Sequence, residues 1–232
     1  MFGEPDRYRF LLGHGMVSDD TEHACMVAQS LIASGDDVGK FKRQLARRLR
    51  AWFLCLPAGT GMATAKACIK LCLGVSPDRS GVFSAGNGPA MRSPILGAAI
   101  DDPDVLKQFV RVSARITHTD PKAEYAAMAV ALAAHIAGTG EQIQPGRFLD
   151  RLQLFLDDDE PANELVDLLA QVVNSVSVGQ TTEEFAAALG LEKGVSGYAY
   201  HSIPVAIHAW LAHQGDFRHA VLSVVRCGGD AD

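Results

Sequence analysis

The chain has 232 residues, 48% of them apolar, enough to bury a substantial core as one domain spanning residues 1–232. Its 21 Lys and Arg against 27 Asp and Glu give a formal charge of −6. This argues against general nucleic-acid binding, which draws its affinity from a surplus of cations.

Apolar residues recur at three- and four-residue spacing along nearly the whole chain, and strand-like alternation never persists for six residues, which predicts an all-α fold. Residues 1–10 (MFGEPDRYRF) lack the apolar core of a signal peptide, so a soluble, cytoplasmic protein without membrane contact is expected. Ser18-Asp19-Asp20-Thr21 opens the first predicted helix, residues 21–33, with Ser18 at the N-cap and the aspartates in the first turn, where the helix dipole favours negative charge. Capping needs one side chain, and two adjacent carboxylates repel unless one faces water or a cation. The cluster therefore reads either as a simple cap or as part of an oxygen ligand set for a hard cation such as Mg²⁺ or Mn²⁺.

A helix over residues 40–56 follows, with Phe41, Leu45, Leu49, Trp52, Phe53 and Leu56 as its apolar series. Its Lys40, Lys42, Arg43, Arg47, Arg48 and Arg50 form a solvated face or a surface for an anionic partner. A helix over 61–73 leads into a long connection, Gly74 to Pro89, which contains Pro77, Gly81 and Gly86-Asn87-Gly88. Long ordered loops are often functional, and this one is the first place to look for a ligand. Gly86-Asn87-Gly88 is no dinucleotide fingerprint, because no strand precedes it and the third glycine is missing. It offers backbone N–H groups to phosphates or sugar hydroxyls, or serves simply as a turn into the next helix.

Helices are then predicted over 90–100 and 103–117, followed by His118, an imidazole at a helix C-terminus where its cationic form is favoured, as a cap or to meet an anion. Asp120-Pro121 supplies an N-cap and first-turn proline for a helix over 121–138, whose alanine-rich stretch carries Glu124 and His135 and is too short to span a bilayer. Helices over 145–156, 161–177 and 182–190 come next, the last opened by a Thr181/Glu184 capping box. Tyr198 and Tyr200, after Gly194 and Gly197, begin a helix over 198–213 and either stack on an aromatic ligand or anchor the core. The last predicted helix, 216–226, stops at Gly228-Gly229, and Asp230-Ala231-Asp232 follows, either a solvated tail or two carboxylates facing one ion. Asp36-Asp37, Asp101-Asp102 and Asp157 to Glu160 read as caps or linkers. The five cysteines (25, 55, 68, 72 and 227) are odd in number and form no C-x-x-C pair, which points to reduced thiols in a reducing compartment.

Five segments taken in order resemble the ADP-ribosylglycohydrolases, the family that includes the dinitrogenase-reductase-activating enzyme. They are Ser18-Asp19-Asp20-Thr21 with its helix, SAGNGPAMR (84–92), SARITH (113–118), GYAYHSIPVAIHAWL (197–211) and CGGDAD (227–232). The resemblance implies a compact orthogonal all-α bundle whose binuclear magnesium centre, with Mn²⁺ as the alternative ion, serves hydrolysis of the bond between ADP-ribose and an acceptor. Ser18, Asp19, Asp20, Asp230 and Asp232 would be the metal ligands, with Asp19 or Asp20 also orienting the attacking water. Gly86, Asn87, Gly88, Met91 and His118 would contact ADP-ribose, and Tyr198 would lie near its adenine or ribose. The implied substrate is an ADP-ribosylated protein or small molecule.

Against the family pattern, only seventeen residues precede Ser18, without the acidic glycine-rich helix usual there, and the chain stops at Asp232 where a threonine ligand would follow. The loop Pro57 to Gly61 reads PAGTG where some members carry an aspartate. A form truncated at both ends relative to a typical member is expected, and a non-catalytic ADP-ribose or nucleotide binder, or a purely structural helical protein, is the alternative.

Overall fold

The computed structural model describes residues 17–140 and 142–230. Among them are thirteen helices and no strand: α1 (Asp19–Ser34), α2 (Val38–Leu54), α3 (Met62–Cys72), α4 (Pro77–Ser80), α5 (Gly88–Arg92), α6 (Pro94–Ala99), α7 (Pro103–Arg115), α8 (Pro121–Gly138), α9 (Pro145–Phe155), α10 (Glu160–Ser177), α11 (Thr182–Ala188), α12 (Ala199–Ala212) and α13 (Phe217–Cys227). The all-α expectation holds.

Local chemistry sets most of the helix starts. Asp37, Asp102, Asp120, Asp159 and Asp216 each cap a helix by accepting a backbone N–H, and Thr181 with Glu184 forms the expected capping box. These bonds account for three of the acidic clusters as caps. The helix predicted over 90–100 is in fact two, because Pro94 has no N–H with which to continue the ladder and instead takes the first position of α6. Within the predicted loop 74–89, Pro77 starts the single turn α4.

The alanine-rich α8 lies at the centre and packs against α5, α6, α7, α10 and α12. Ala126, Ala127, Met128, Ala129 and Ala131 are all buried, as a helix apolar on every side requires. The closest approach is to α6, where a Cβ on Gly97 would overlap the Ala131 carbonyl. Larger side chains fill other parts of the core: Phe41 tilts against Phe109 at 5.0 Å between ring centroids, and Phe148 meets Trp210 edge-on at 5.4 Å. Burying each such ring contributes about 1.5–3 kcal/mol. Glu124 of α8 is buried but satisfied, accepting from Arg111 Nε at 2.7 Å and Arg115 Nε at 2.6 Å. All five cysteines are free, and among the described residues no helix is long and apolar enough to cross a membrane. On the basic face of α2, Arg43, Arg47 and Arg50 line a shallow groove, while Lys42 pairs with Asp78.

Candidate active site

Three isolated backbone bridges assemble the site from distant segments. Val82 pairs in parallel with His118, its N–H donating to Thr117 O at 3.1 Å and its carbonyl accepting from Thr119 N at 2.9 Å. Gly86 pairs antiparallel with Tyr198, with Asn87 N donating to Gly197 O at 2.9 Å and Ala199 N to Ala85 O at 2.8 Å. Val195 pairs with Gly229, so that Val195 N reaches Gly228 O at 3.0 Å and Asp230 N reaches Val195 O at 2.7 Å. The Gly-Asn-Gly loop thus lies between His118 and the start of α12, and Asp230 is carried to its side.

Glycine is needed at these crossings. A Cβ on Gly86 would sit 3.1 Å from His118 Nε2, and one on Gly88 would sit 2.9 Å from His118 Cε1. Gly229 has φ +85°, and a side chain there would overlap the Val195 backbone.

The resulting cavity, about 330 Å³, is lined by Asp19, Asp20, Gly86, Asn87, Gly88, Met91, His118 and Asp230 among the residues expected from the sequence. Among the described residues, Gly59, Gly61, Met62, Ala63, Thr64, Ser84 and Gly197 also line it. Most of these come from the start of α3 and the glycine-rich loop before it, whose PAGTG composition was the available signal. Ser18 holds the N-cap position of α1 without making a side-chain cap bond and is not among the lining residues. Asp232 lies outside the described residues. Tyr198 is not among the lining residues: its backbone pairs with Gly86, its hydroxyl accepts from Lys122 Nζ at 3.1 Å and its ring meets His201 edge-on at 4.9 Å. Tyr200 is buried in the core, its hydroxyl donating to Pro161 O at 2.5 Å.

Asn87 caps nothing with its side chain; its Nδ2 donates instead to Asp230 Oδ2 at 2.8 Å. His118 corrects an expectation. Local position at a helix end favours the imidazolium, yet burial, with Arg92 nearby, lowers its pKa to about 3, so the ring is neutral at physiological pH. Its Nδ1 lies 2.9 Å from Thr117 Oγ1. Arg92 is fully buried and burial brings its pKa down to about 10, which leaves it protonated at neutral pH. His23, on α1 beside Arg92 and edge-on to Trp52 at 4.6 Å, is held neutral by burial, with its pKa lowered to about 2.

Among the described residues no three His, Cys, Asp or Glu side chains form a ready-made metal cluster. The donor chemistry nevertheless fits a hard cation: Asp19, Asp20 and Asp230 bring only carboxylate oxygens to the cavity, and no Cys, Lys or Arg is among its described lining residues.

The family model for ADP-ribosylglycohydrolases matches residues 2–232. The chain belongs to the ADP-ribosylglycohydrolase family. This member is 29% identical over 227 residues to an uncharacterized protein of Archaeoglobus fulgidus, covering 95% of the chain and 68% of that protein. It is 27% identical over 250 residues to the ADP-ribosylhydrolase ARH3 of Gallus gallus, covering 93% of the chain and 66% of the relative. Among solved structures, an ADP-ribosylglycohydrolase-related protein complex superposes with a TM-score of 0.65 at 26% identity, covering 94% of this chain and 66% of that one. The family member described here therefore spans about two thirds of the length of these relatives.

Proposed function

We propose that this protein is a Mg²⁺-dependent hydrolase that cleaves the glycosidic bond between ADP-ribose and an acceptor, a protein side chain or an ADP-ribosylated small molecule. One observation carries the reading: Asp19 and Asp20, near the start of the chain, line the same cavity as Asp230, near its end, and the Gly86-Asn87-Gly88 loop lines it too. Family membership agrees with it.

Breaking a glycosidic bond passes through an oxocarbenium-like state, so the site must hold the ribose, tolerate developing positive charge and present a water to the anomeric carbon. Asp19, Asp20 and Asp230, with Ser18 adjacent, would hold one or two divalent cations, which supply fixation of the ribose hydroxyls and a more acidic water. The same carboxylates place negative charge where the ribosyl cation develops, and Asp19 or Asp20 orients the attacking water. Gly86, Asn87 and Gly88 line the cavity beside a neutral His118, which offers a hydrogen bond and no charge. Asn87 fixes the rotamer of Asp230 and so ties the loop to the carboxylate set.

Calorimetric titration with Mg²⁺ and with ADP-ribose, alongside turnover of an ADP-ribosylated acceptor, tests this on the wild type and Asp19→Ala. Metal uptake with turnover, both lost in the variant, supports the hydrolase. ADP-ribose binding without turnover would make the protein a binder, and the absence of all three signals a scaffold.

A further inference from the structure

Behind the loop lies a buried cation that contributes no surface to the cavity. Arg92, the last residue of α5, is the largest fully buried side chain among the described residues, and all five of its N–H donors meet neutral acceptors. Nε donates to Ser113 Oγ at 3.1 Å; Nη2 donates to Ser113 O at 2.7 Å and to Thr117 Oγ1 at 2.7 Å. Nη1 donates to Gly88 O at 3.2 Å and faces His23 Nδ1 at 3.4 Å. Since a guanidinium cannot accept, His23 Nδ1 presents its lone pair and the ring proton sits on Nε2.

A buried charge with no carboxylate partner is costly, and a fold that needed only volume here would be better served by an aliphatic side chain. The partners show what the fork holds. Gly88 belongs to the cavity wall, Thr117 Oγ1 also contacts His118 Nδ1, and His23 stands one helical turn beyond Asp19 on the same face of α1. One planar group therefore reaches the loop, the imidazole and the carboxylate-bearing helix together, a geometry that a flexible ammonium cannot reproduce.

We propose that Arg92 is a positioning residue of this site, locking α1, the Gly86-Asn87-Gly88 loop and His118 into one arrangement without touching the substrate. The turnover arm of the test rests on the hydrolase reading; the spectroscopic arm does not. Arg92→Lys, Arg92→Met and Thr117→Val are compared with wild type by imidazole ¹⁵N and loop amide resonances in the free protein, and by kcat and KM.

Small displacements of positioned groups can cost up to about 100-fold in rate. The expected result is therefore a fall of about tenfold or more in kcat in each folded variant, with KM changing by less than about threefold. His118 and Gly88 resonances should shift, and Arg92→Lys should fail to restore them. If the Arg92 variants do not fold, Thr117→Val, which leaves the guanidinium in place and severs its link to His118, decides the matter. Folded variants with wild-type resonances and wild-type kcat overturn the proposal. Shifted resonances in a protein whose wild type never turns over sustain the positioning role and sink the hydrolase reading; normal turnover with unmoved resonances in Thr117→Val does the reverse.

Discussion

Asn87 Nδ2 donates to Asp230 Oδ2 at 2.8 Å, a bond between residues 143 apart in the chain. It joins the loop to the carboxylate that completes the acidic side of the cavity. Asn87→Ala should lower kcat/KM by about tenfold or more through loss of the Asp230 rotamer. Because the bond is exposed, stability should change by no more than about 1 kcal/mol. Steady-state kinetics with urea unfolding on the same preparation checks both halves, and unchanged kinetics would show that Asp230 is oriented by something else.

Asp20→Ala and Asp230→Ala should each abolish turnover and the heat of Mg²⁺ binding while shifting stability by about 1 kcal/mol or less, if their role is ligation more than capping. Full activity in Asp20→Ala, measured on an ADP-ribosylated acceptor, removes the metal assignment.

Two glycines separate the site from the scaffold. Gly97→Ala forces a Cβ into the Ala131 carbonyl, a backbone atom that no rotamer change can move, so α6 must shift from α8. A loss of about 1–3 kcal/mol is expected, read as a lower unfolding midpoint. Gly88→Ala brings a Cβ to 2.9 Å from His118 Cε1 at the cavity wall and should weaken ADP-ribose affinity more than it lowers the unfolding midpoint. Calorimetry and denaturation on the pair should show opposite rankings.

Three buried histidines set the response to acid. Burial lowers the pKa of His208 to about 4, of His118 to about 3 and of His23 to about 2, against an ordinary value near 6.5. The folded protein keeps these rings neutral while the unfolded chain takes up a proton on each as pH falls below about 6.5. Their contribution to stability is thus complete above pH 6.5. It declines on acidification by about 1.4 kcal/mol per pH unit for each ring, until pH passes through that ring's folded pKa. Urea midpoints at pH 7, 6 and 5 should fall progressively. His208→Gln, whose ring lies between Ser175 Oγ at 3.0 Å and Thr182 Oγ1 at 3.2 Å, should flatten the slope by about a third. A pH-independent midpoint across this range contradicts the neutral assignment.

Helix starts were legible because they depend on neighbours in sequence: Asp120-Pro121 and Thr181 with Glu184 act as read. The break at Pro94 follows from its missing N–H, yet the apolar spacing runs across it and conceals it. The meeting of Asp19 and Asp20 with Asp230 came from the family resemblance and not from any local pattern, since nothing in either segment specifies the other. Met62, Ala63 and Thr64 escaped notice because they carry no distinctive chemistry and reach the cavity only through the packing of α3. His118 was given the wrong charge because the helix-end rule is local, while desolvation and the Arg92 field arise from the assembled fold. The backbone pairing of Tyr198 with Gly86 has no local signal, because it depends on where the fold brings the loop.

The backbone bridges at Val82, Gly86 and Val195 divide the cavity into unlike halves. One part is stitched main chain to main chain, with the amides of Thr119, of Asn87 and Ala199, and of Asp230 each engaged in a separate bridge. The stretch Gly59 to Thr64 joins none of these bridges and is held by the opening turn of α3, where Ala65 N donates to Gly61 O at 2.9 Å. An arriving ligand therefore meets main-chain cross-links on one stretch of the wall and a helix start, bonded only within its own turn, on the other.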